Sequence, residues 1–578
     1  MAARLERRAI TGDPDRMPPD WHPVLRRVYA ARGIDDPADL STALATLANP
    51  ATLGGADAAA ALLAEAVQGD QRVLFVGDFD ADGATSCAVG LRALRAMGAT
   101  NVDYLVPNRF EYGYGLSPEI VEVARERSPD IIVTVDNGIS SLDGVAAARD
   151  AGIRVIVTDH HLPGPTLPSA DAIVNPNCHG DPFPSKALAG VGVVFYVMAA
   201  LRRRLAAADW FDANGMAPPN LAAFLDLVAL GTVADVVPLD RTNRTLVQQG
   251  LARIRAGQGC PGIQALLDVS GRTAARVVAS DLGFALGPRL NAAGRLDDMS
   301  VGIECLLSDD PAHARGLAER LDGLNRERRE IEGRMKAEAV AHVDELVAKM
   351  GDDGVPPGLC LAHPDWHQGV IGIVASRVKE RFHRPVIAFA PAGEEGMLKG
   401  SARSIPGLHM RDVLERIDTL NPGLIPRFGG HAMAAGLSLP DAHLERFREA
   451  FVETVTSWVS ASDLDATVLT DGTLAPDELT LELAARLRNG GPWGQAFPEP
   501  VFEGTFAVRE RRIVGGSHLK LRLSPVEGGP VVDAIAFGGA DHGWDDLDGA
   551  VRAAYRLDVN AYRGRERLQL VVVHMEPA

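Results

Sequence analysis

Cysteine is scarce in this chain: five residues among 578, at Cys87, Cys178, Cys260, Cys305 and Cys360, far apart and with no CxxC pair. That pattern argues against a disulfide framework and a cysteine-built structural zinc site, and leaves buried free thiols as the expectation. Long apolar runs are missing as well. No stretch reaches the roughly 18 apolar residues that a membrane-crossing helix needs, and the opening "MAARLERRAITGDPDR" lacks the apolar core of a secretory signal. A cytoplasmic location and no membrane association are expected. Low-complexity tracts are also absent, and with hydrophobic residues at 46% and charged residues at 23% the chain is expected to be globular. Its length exceeds what a single core fills, so several domains are expected. Positive charge is the last shortage: 58 Lys and Arg against 76 Asp and Glu leave a formal net charge of −18. Spread evenly, that balance counts against a polyanionic partner. Carboxylates that hold divalent cations escape the objection, because the ions reverse the local sign.

What is present is strongly patterned. Residues 72–159 alternate apolar β-rich runs ("RVLFVG", "VDYLVP", "DIIVTVD", "RVIVTD") with helical stretches, which implies a parallel sheet covered on both faces. Ligands of such sheets gather at the carboxyl ends of the strands. Asp78, Asp80 and Asp82 follow the first run, Asp136 closes the third, and Asp159, His160 and His161 close the fourth, so the clusters are expected on one rim. Residues 186–256 read as helical, with Asp235 following a Gly-Thr interruption in "FLDLVALGTVADVVPLD". The predicted architecture is α/β: an N-terminal extension at 1–50, a parallel-sheet domain at 51–310, a long connecting helix at 311–352, a smaller α/β domain at 353–460, and an OB-type β-barrel at 461–578.

Like charges crowded after one strand make each other harder to ionise. Asp80, Asp82, Asp136, His160 and Asp235 together offer hard oxygen donors with one imidazole, a set that suits Mn²⁺ or Mg²⁺. Two such ions would serve an in-line phosphoryl displacement. Taken singly, each Asp is equally readable as a helix N-cap. Arg109, in "PNRFEYGYG", is readable as a surface ion pair. The glycines of "RFGGHAMAAG" are readable as a tight turn. In the barrel, Arg509, Arg511, Arg512, Lys520, Arg522, Arg563, Arg565 and Arg567 are interspersed with Phe506, Phe537, Tyr555 and Tyr562. That mixture fits a single-strand-binding face as well as an ordinary solvated one.

The motifs "GDFDADG", "PNRFEYGYGLS", "VTVDNGISS", "VTDHH", "ALGTVADVVPL", "GPRLNAAGR", "GSARS" and "RFGGHAMAAG" occur in this order. In them the chain resembles the DHH phosphoesterase superfamily, named for the Asp159-His160-His161 triplet, and within it the bacterial exonucleases specific for single strands. The resemblance implies a two-ion hydrolase that removes 5′-mononucleotides from the 5′ end of single-stranded DNA, in recombination and repair. It implies Asp80, Asp82, Asp136, His160 and Asp235 as ligands, with Asp136 a candidate bridge. Asp78 stands where many members place a ligating histidine. By the same resemblance His161 faces phosphate, Asp159 orients a neighbouring histidine, Arg109 holds the terminal 5′ phosphate with Arg289 in a similar part, and Ser401, Arg403 and His431 grip substrate. A monomer is expected, with a single-strand-binding protein and a helicase as the protein partners to look for. Two other functions stay open at this point. One is a relative cleaving short oligoribonucleotides or cyclic dinucleotides, which would usually lack the barrel; the other is a silent replication scaffold, which would have lost the ligands.

Overall fold

Val73–Gly77 (β1), Val102–Leu105 (β2), Ile131–Val135 (β3), Arg154–Thr158 (β4) and Ala172–Val174 (β5) pair in parallel in the order β2-β1-β3-β4-β5. In the computed structural model that shows this sheet, the described residues are 4–107, 115–350, 355–393, 396–547, 549–562 and 565–578. Arg109 and Arg563, and the side chain of Tyr562, lie outside them. β1 and β3 are buried along their whole length, as strands covered on both faces must be. Val73, Phe75, Val133 and Val135 face a core built with the helices Ala81–Ala96 (α1) and Gly190–Ala207 (α4). Leu74, Val76, Ile132 and Val155 face the other side, against Pro118–Arg125 (α2) and Leu142–Asp150 (α3). Beyond α4 come Leu225–Ala234 (α5), a π-helical turn at Leu282–Leu286, and Gly287–Leu296 (α6).

Pro311–Met350 (α7) is one helix of 40 residues. Along it the chain passes from one compact unit, Arg8–Asn325 with Thr470–Ala578, to a second, Met1–Arg7 with Arg326–Leu469. The second unit holds a mixed sheet. Leu359–Ala362 (β6) and Val386–Pro391 (β7) are parallel, while Met397–Arg403 (β8), Arg427–Gly430 (β9) and Ala434–Pro440 (β10) are antiparallel, in the order β9-β10-β8-β7-β6. The helix Ile371–Phe382 (α8) packs on this sheet through Ile371, Val374 and Val378.

Phe502–Val514 (β11), His518–Pro525 (β12), Val532–Ala536 (β13), Ala550–Tyr562 (β14) and Arg565–Pro577 (β15) close a barrel in the order β11-β12-β13-β15-β14. Its interior is Phe502, Phe506, Leu521, Tyr555 and Leu570. Val24 and Val28, from the helix Pro23–Ala30, belong to the same cluster. The N-terminal residues are thus core material for the barrel. The barrel and the segment leading into it in turn touch the parallel-sheet domain: Leu239 donates its amide to Gln495 O at 2.7 Å, and Arg276 pairs with Glu566 at 2.9 Å. All five cysteines are free thiols. Among the described residues no helix is long and apolar enough to cross a membrane.

Candidate metal centre

The parallel register brings the carboxyl ends of β1, β3 and β4 side by side, and the donors expected on that rim converge there. Three overlapping groups have ligand atoms within 4.8 Å of one another: Asp78, Asp80 and Asp136; Asp82, His160 and Asp235; Asp136, His160 and His161. His160 Nε2 lies 3.0 Å from Asp136 Oδ1 and 3.4 Å from Asp235 Oδ2.

Local backbone chemistry aims each donor. Asp80 is the N-cap of α1 and accepts the amides of Asp82 (2.9 Å) and Gly83 (3.0 Å); capping and clustering are therefore compatible in one residue. Asp82, fully buried, accepts the amides of Gly190 (2.6 Å) and Val191 (2.9 Å). It thereby closes the N-terminus of α4, whose own N-cap Ala189 has no side-chain bond to offer. Asp136 sits at φ +61, a left-handed conformation that Asp tolerates better than most residues. Asp235 ends α5, and Val236 follows at φ +64.

The Asp-His-His turn is held from several sides. Asp159 Oδ2 accepts the Ile139 amide (2.9 Å), and its Oδ1 accepts the amides of His160 (2.7 Å) and His161 (3.0 Å) and faces His161 Nδ1 at 2.7 Å. Asn177 and Asn175 donate to the carbonyls of His160 (2.6 Å) and His161 (2.8 Å). These asparagines, in "VNPNC", were not singled out from the sequence; polar residues closing a short strand were their only signal. Gly190 and Gly231 were missed too. A Cβ at Gly190 would lie 2.7 Å from Asp136 Cβ, and one at Gly231 would lie 2.2 Å from Thr85 Oγ1 and 2.9 Å from Asp82 Oδ1. The Gly-Thr pair does not interrupt the helix as expected. Gly231 lies inside α5 and lets it approach the carboxylates.

Burial, and after it the charge of Asp235, push Asp82 up to about 7 against the pull of His160. Burial and then Asp80 push Asp235 up to about 7. Burial, then Asp82 and Asp80, hold Asp136 well above the carboxylate range. A set of acids that so oppose one another's ionisation fits added positive charge. His160 Nε2 and Asp235 Oδ2 are buried without a hydrogen bond of acceptable geometry, which leaves donor atoms directed at a common space. Asp and His in this mixture fit Mn²⁺ or Mg²⁺. For His161, burial works to lower the pKa, but the hydrogen bond and charge of Asp159, then Asp235 and Asp78, hold it up to about 9. Asp159→Asn is accordingly expected to bring His161 well below 9, toward the ordinary value of about 6.5, in an NMR titration of the metal-free protein. An unchanged value would remove Asp159 as the cause.

The motif "GPRLNAAGR" backs this loop. Asn291 Oδ1 accepts the Ala81 amide at 2.7 Å, and a Cβ at Gly294 would lie 1.8 Å from Phe79 O. Arg289, expected to meet phosphate, is buried and gives its fork to Asp322 (Nη2 2.8 Å, Nε 3.0 Å) and to Ala285 O (2.6 Å). A phosphate there would have to displace Asp322. In the second unit, Arg403 donates to Ser401 Oγ (3.1 Å) and Ser376 Oγ (3.1 Å) beside Gly372, where a Cβ would lie 2.8 Å from its Nη2. His431 follows Gly430 at φ +143 and donates its amide to Ala434 O at 2.8 Å, so the glycine does make a tight turn. On the barrel, Arg509, Arg511, Arg512, Lys520, Arg522, Arg565 and Arg567 are exposed. Phe506 and Tyr555 are core, packed edge to face at 5.3 Å. Phe537 is exposed. Among the described residues the expected interleaving of basic and aromatic side chains on one face reduces to arginines and lysine with Phe537.

Family models match residues 72–232 (DHH family, N-terminal domain), 346–461 (DHHA1 domain) and 470–574 (RecJ OB domain). The single-stranded-DNA-specific exonuclease RecJ of Dickeya dadantii is 57% identical over 580 residues, 100% of each chain. That of Escherichia coli is 55% identical over 576 residues, 99% of each. Among solved structures, RecJ in complex with Mn²⁺ from Thermus thermophilus matches with a TM-score of 0.79 at 31% identity, over 100% of this chain and 80% of that one. Similarity running from end to end, over a rim of carboxylates and histidines built in this way, leads to one conclusion: the chain belongs to the RecJ family of single-stranded-DNA-specific exonucleases.

Proposed function

We propose that this protein is a metal-dependent exonuclease that degrades single-stranded DNA from its 5′ end and releases 5′-mononucleotides. The observation that carries the proposal is the convergence of Asp78, Asp80, Asp82, Asp136, His160 and Asp235 at the ends of neighbouring parallel strands. Asp80, Asp82, Asp136, His160 and Asp235 would hold two divalent ions, Asp136 belonging to two of the three groups, with Asp78 as an additional donor. Bound there, the ions supply Lewis-acid charge for the attack of water on a phosphodiester.

The chain's own residues do the rest. His161, held protonated by Asp159, presents a cation to the phosphoryl oxygens as charge builds on them. Asp159 fixes that ring by the nitrogen that does not face substrate. Arg109 takes the terminal 5′ phosphate, for which a planar fork is suited. Ser401, Arg403 and His431 supply further donors to the strand, and Arg289 joins them only by leaving Asp322. The exposed basic strands β11 and β12 attract the backbone without reading bases. A closed barrel of this kind favours a polymer over a cyclic dinucleotide. A single-strand-binding protein and a helicase are the partners to look for, around an enzyme acting as a monomer in the cytoplasm.

Polarity is the direct test. Given Mn²⁺ and a 5′-phosphorylated single strand labelled at either end, the 5′ label is expected in mononucleotides from the first turnovers, while the 3′ label stays on shortening strands. Early release of the 3′ label would overturn the polarity.

A further inference from the structure

A cavity of about 360 Å³ opens where α5 ends, between the parallel-sheet domain and the segment leading into the barrel. Val236 and Phe284 line it and are 63% and 79% exposed. Large apolar side chains left open beside each other mark a binding surface. Both stand on unusual backbone. Val236, one peptide bond after Asp235, is a β-branched residue at φ +64. Phe284 rides on the π-helical turn Leu282–Leu286, a local widening that is frequent at functional sites. Trp493 also lines the cavity, stacked between Tyr29 (6.0 Å) and Phe497 (5.1 Å).

The rest of the lining is mostly apolar or neutral, with three arginines and Glu499 as its charged members. Arg255, Arg488 and Arg556 all border the cavity. Arg556 is neutralised by Glu499. Arg488 has Asp558 at 3.5 Å and donates to Arg276 O at 3.0 Å. Arg255 donates from Nε to Val277 O at 2.8 Å; burial and then the like charge of Arg488 lower its pKa, with Asp281 opposing. Two guanidiniums bordering one cavity, beside an open aromatic face, suit a ligand with an anion at one end and a flat ring at the other. The volume falls in the range of small-ligand pockets.

We propose that this cavity binds one nucleotide, its base against Phe284 and Val236 and its phosphate toward Arg255 and Arg488. The proposal rests on the function proposed above and adds a site one residue away from a candidate metal ligand. The nucleotide has two sources: a unit of the DNA strand, or a free 5′-mononucleotide such as the reaction releases.

The test measures binding to the full-length protein with Mn²⁺ of phosphorothioate-linked, 5′-phosphorylated thymidine oligomers (dinucleotide, hexamer and dodecamer) and of dTMP. If the strand supplies the nucleotide, Phe284→Ala weakens an oligomer longer than the dinucleotide by about tenfold, the worth of one stacked base, and Phe284→Trp restores it. If the free nucleotide is the ligand, Phe284→Ala removes a second stoichiometric dTMP site and leaves the oligomers unchanged. Equal affinities of wild type and Phe284→Ala for all four ligands overturn the site. A wild type that leaves ordinary single strands uncut overturns the proposed function instead, and the affinity ratios still decide the cavity.

Discussion

Asp136→Asn is expected to lower turnover by about 10³-fold or more in saturating Mn²⁺, because a metal clamp contributes several kcal/mol at the transition state and each 1.36 kcal/mol is about tenfold. Asp136, like His160, is shared between two groupings: it lies with Asp78 and Asp80 on one side and with His160 and His161 on the other. Asparagine keeps the shape and accepts the left-handed backbone at φ +61, so the fold is preserved. Stability of the metal-free protein is expected to hold or rise, since burial and then Asp82 and Asp80 already oppose the Asp136 charge. Thermal unfolding and Mn²⁺ calorimetry of the variant separate these effects. Turnover within tenfold of wild type, with Mn²⁺ uptake intact, would remove Asp136 from the centre.

Why Asp136 was legible and its surroundings were not has a physical reason. Near-continuous β-rich runs such as "LFV" and "IIVTV" announce buried parallel strands, and a residue ending such a strand has its position fixed by topology alone. The three-residue strand Ala172–Val174 carries too little pattern to be read. Gly231 looked like a break because a glycine's local signal is the same whether the chain turns or a neighbour approaches; only the packing of α5 on Asp82 distinguishes them. Arg289 belongs to the same class of difficulty. Its motif does serve the site, through Asn291 and Gly294, while the arginine is taken up by Asp322 on α7, a partner remote in sequence. On the barrel, alternation along a strand decides that Phe506 faces in, and the sequence does not say which face is interior until the barrel closes.

The seam between the N-terminal segment and the stretch leading into the barrel is where a single substitution is expected to damage stability most. Arg32 and Asp471 have side chains 1% and 0% exposed and pair bidentately, Nη1 to Oδ1 at 2.8 Å and Nη2 to Oδ2 at 3.2 Å. Arg32 also donates to Val28 O (2.7 Å) and Pro498 O (2.8 Å), and its guanidinium lies 5.2 Å from the centre of the Trp493 ring. Asp471 Oδ2 accepts the Val501 amide at 3.0 Å. Arg32→Ala strands that carboxylate in the interior with Arg8 Nε 3.7 Å from its Oδ1, and is expected to destabilise by about 3–5 kcal/mol, as removal of one partner of a buried pair does. Arg32→Lys recovers the charge without the fork and falls between. The paired replacement Arg32→Met with Asp471→Leu removes both charges and is expected to restore much of the loss. Thermal unfolding of the four proteins decides it. If Arg32→Ala melts with wild type, the pair is not what holds this seam. If the double replacement is stable but loses the nucleotide contact at Phe284, then the pair acts by holding the Trp493 wall of the cavity in register.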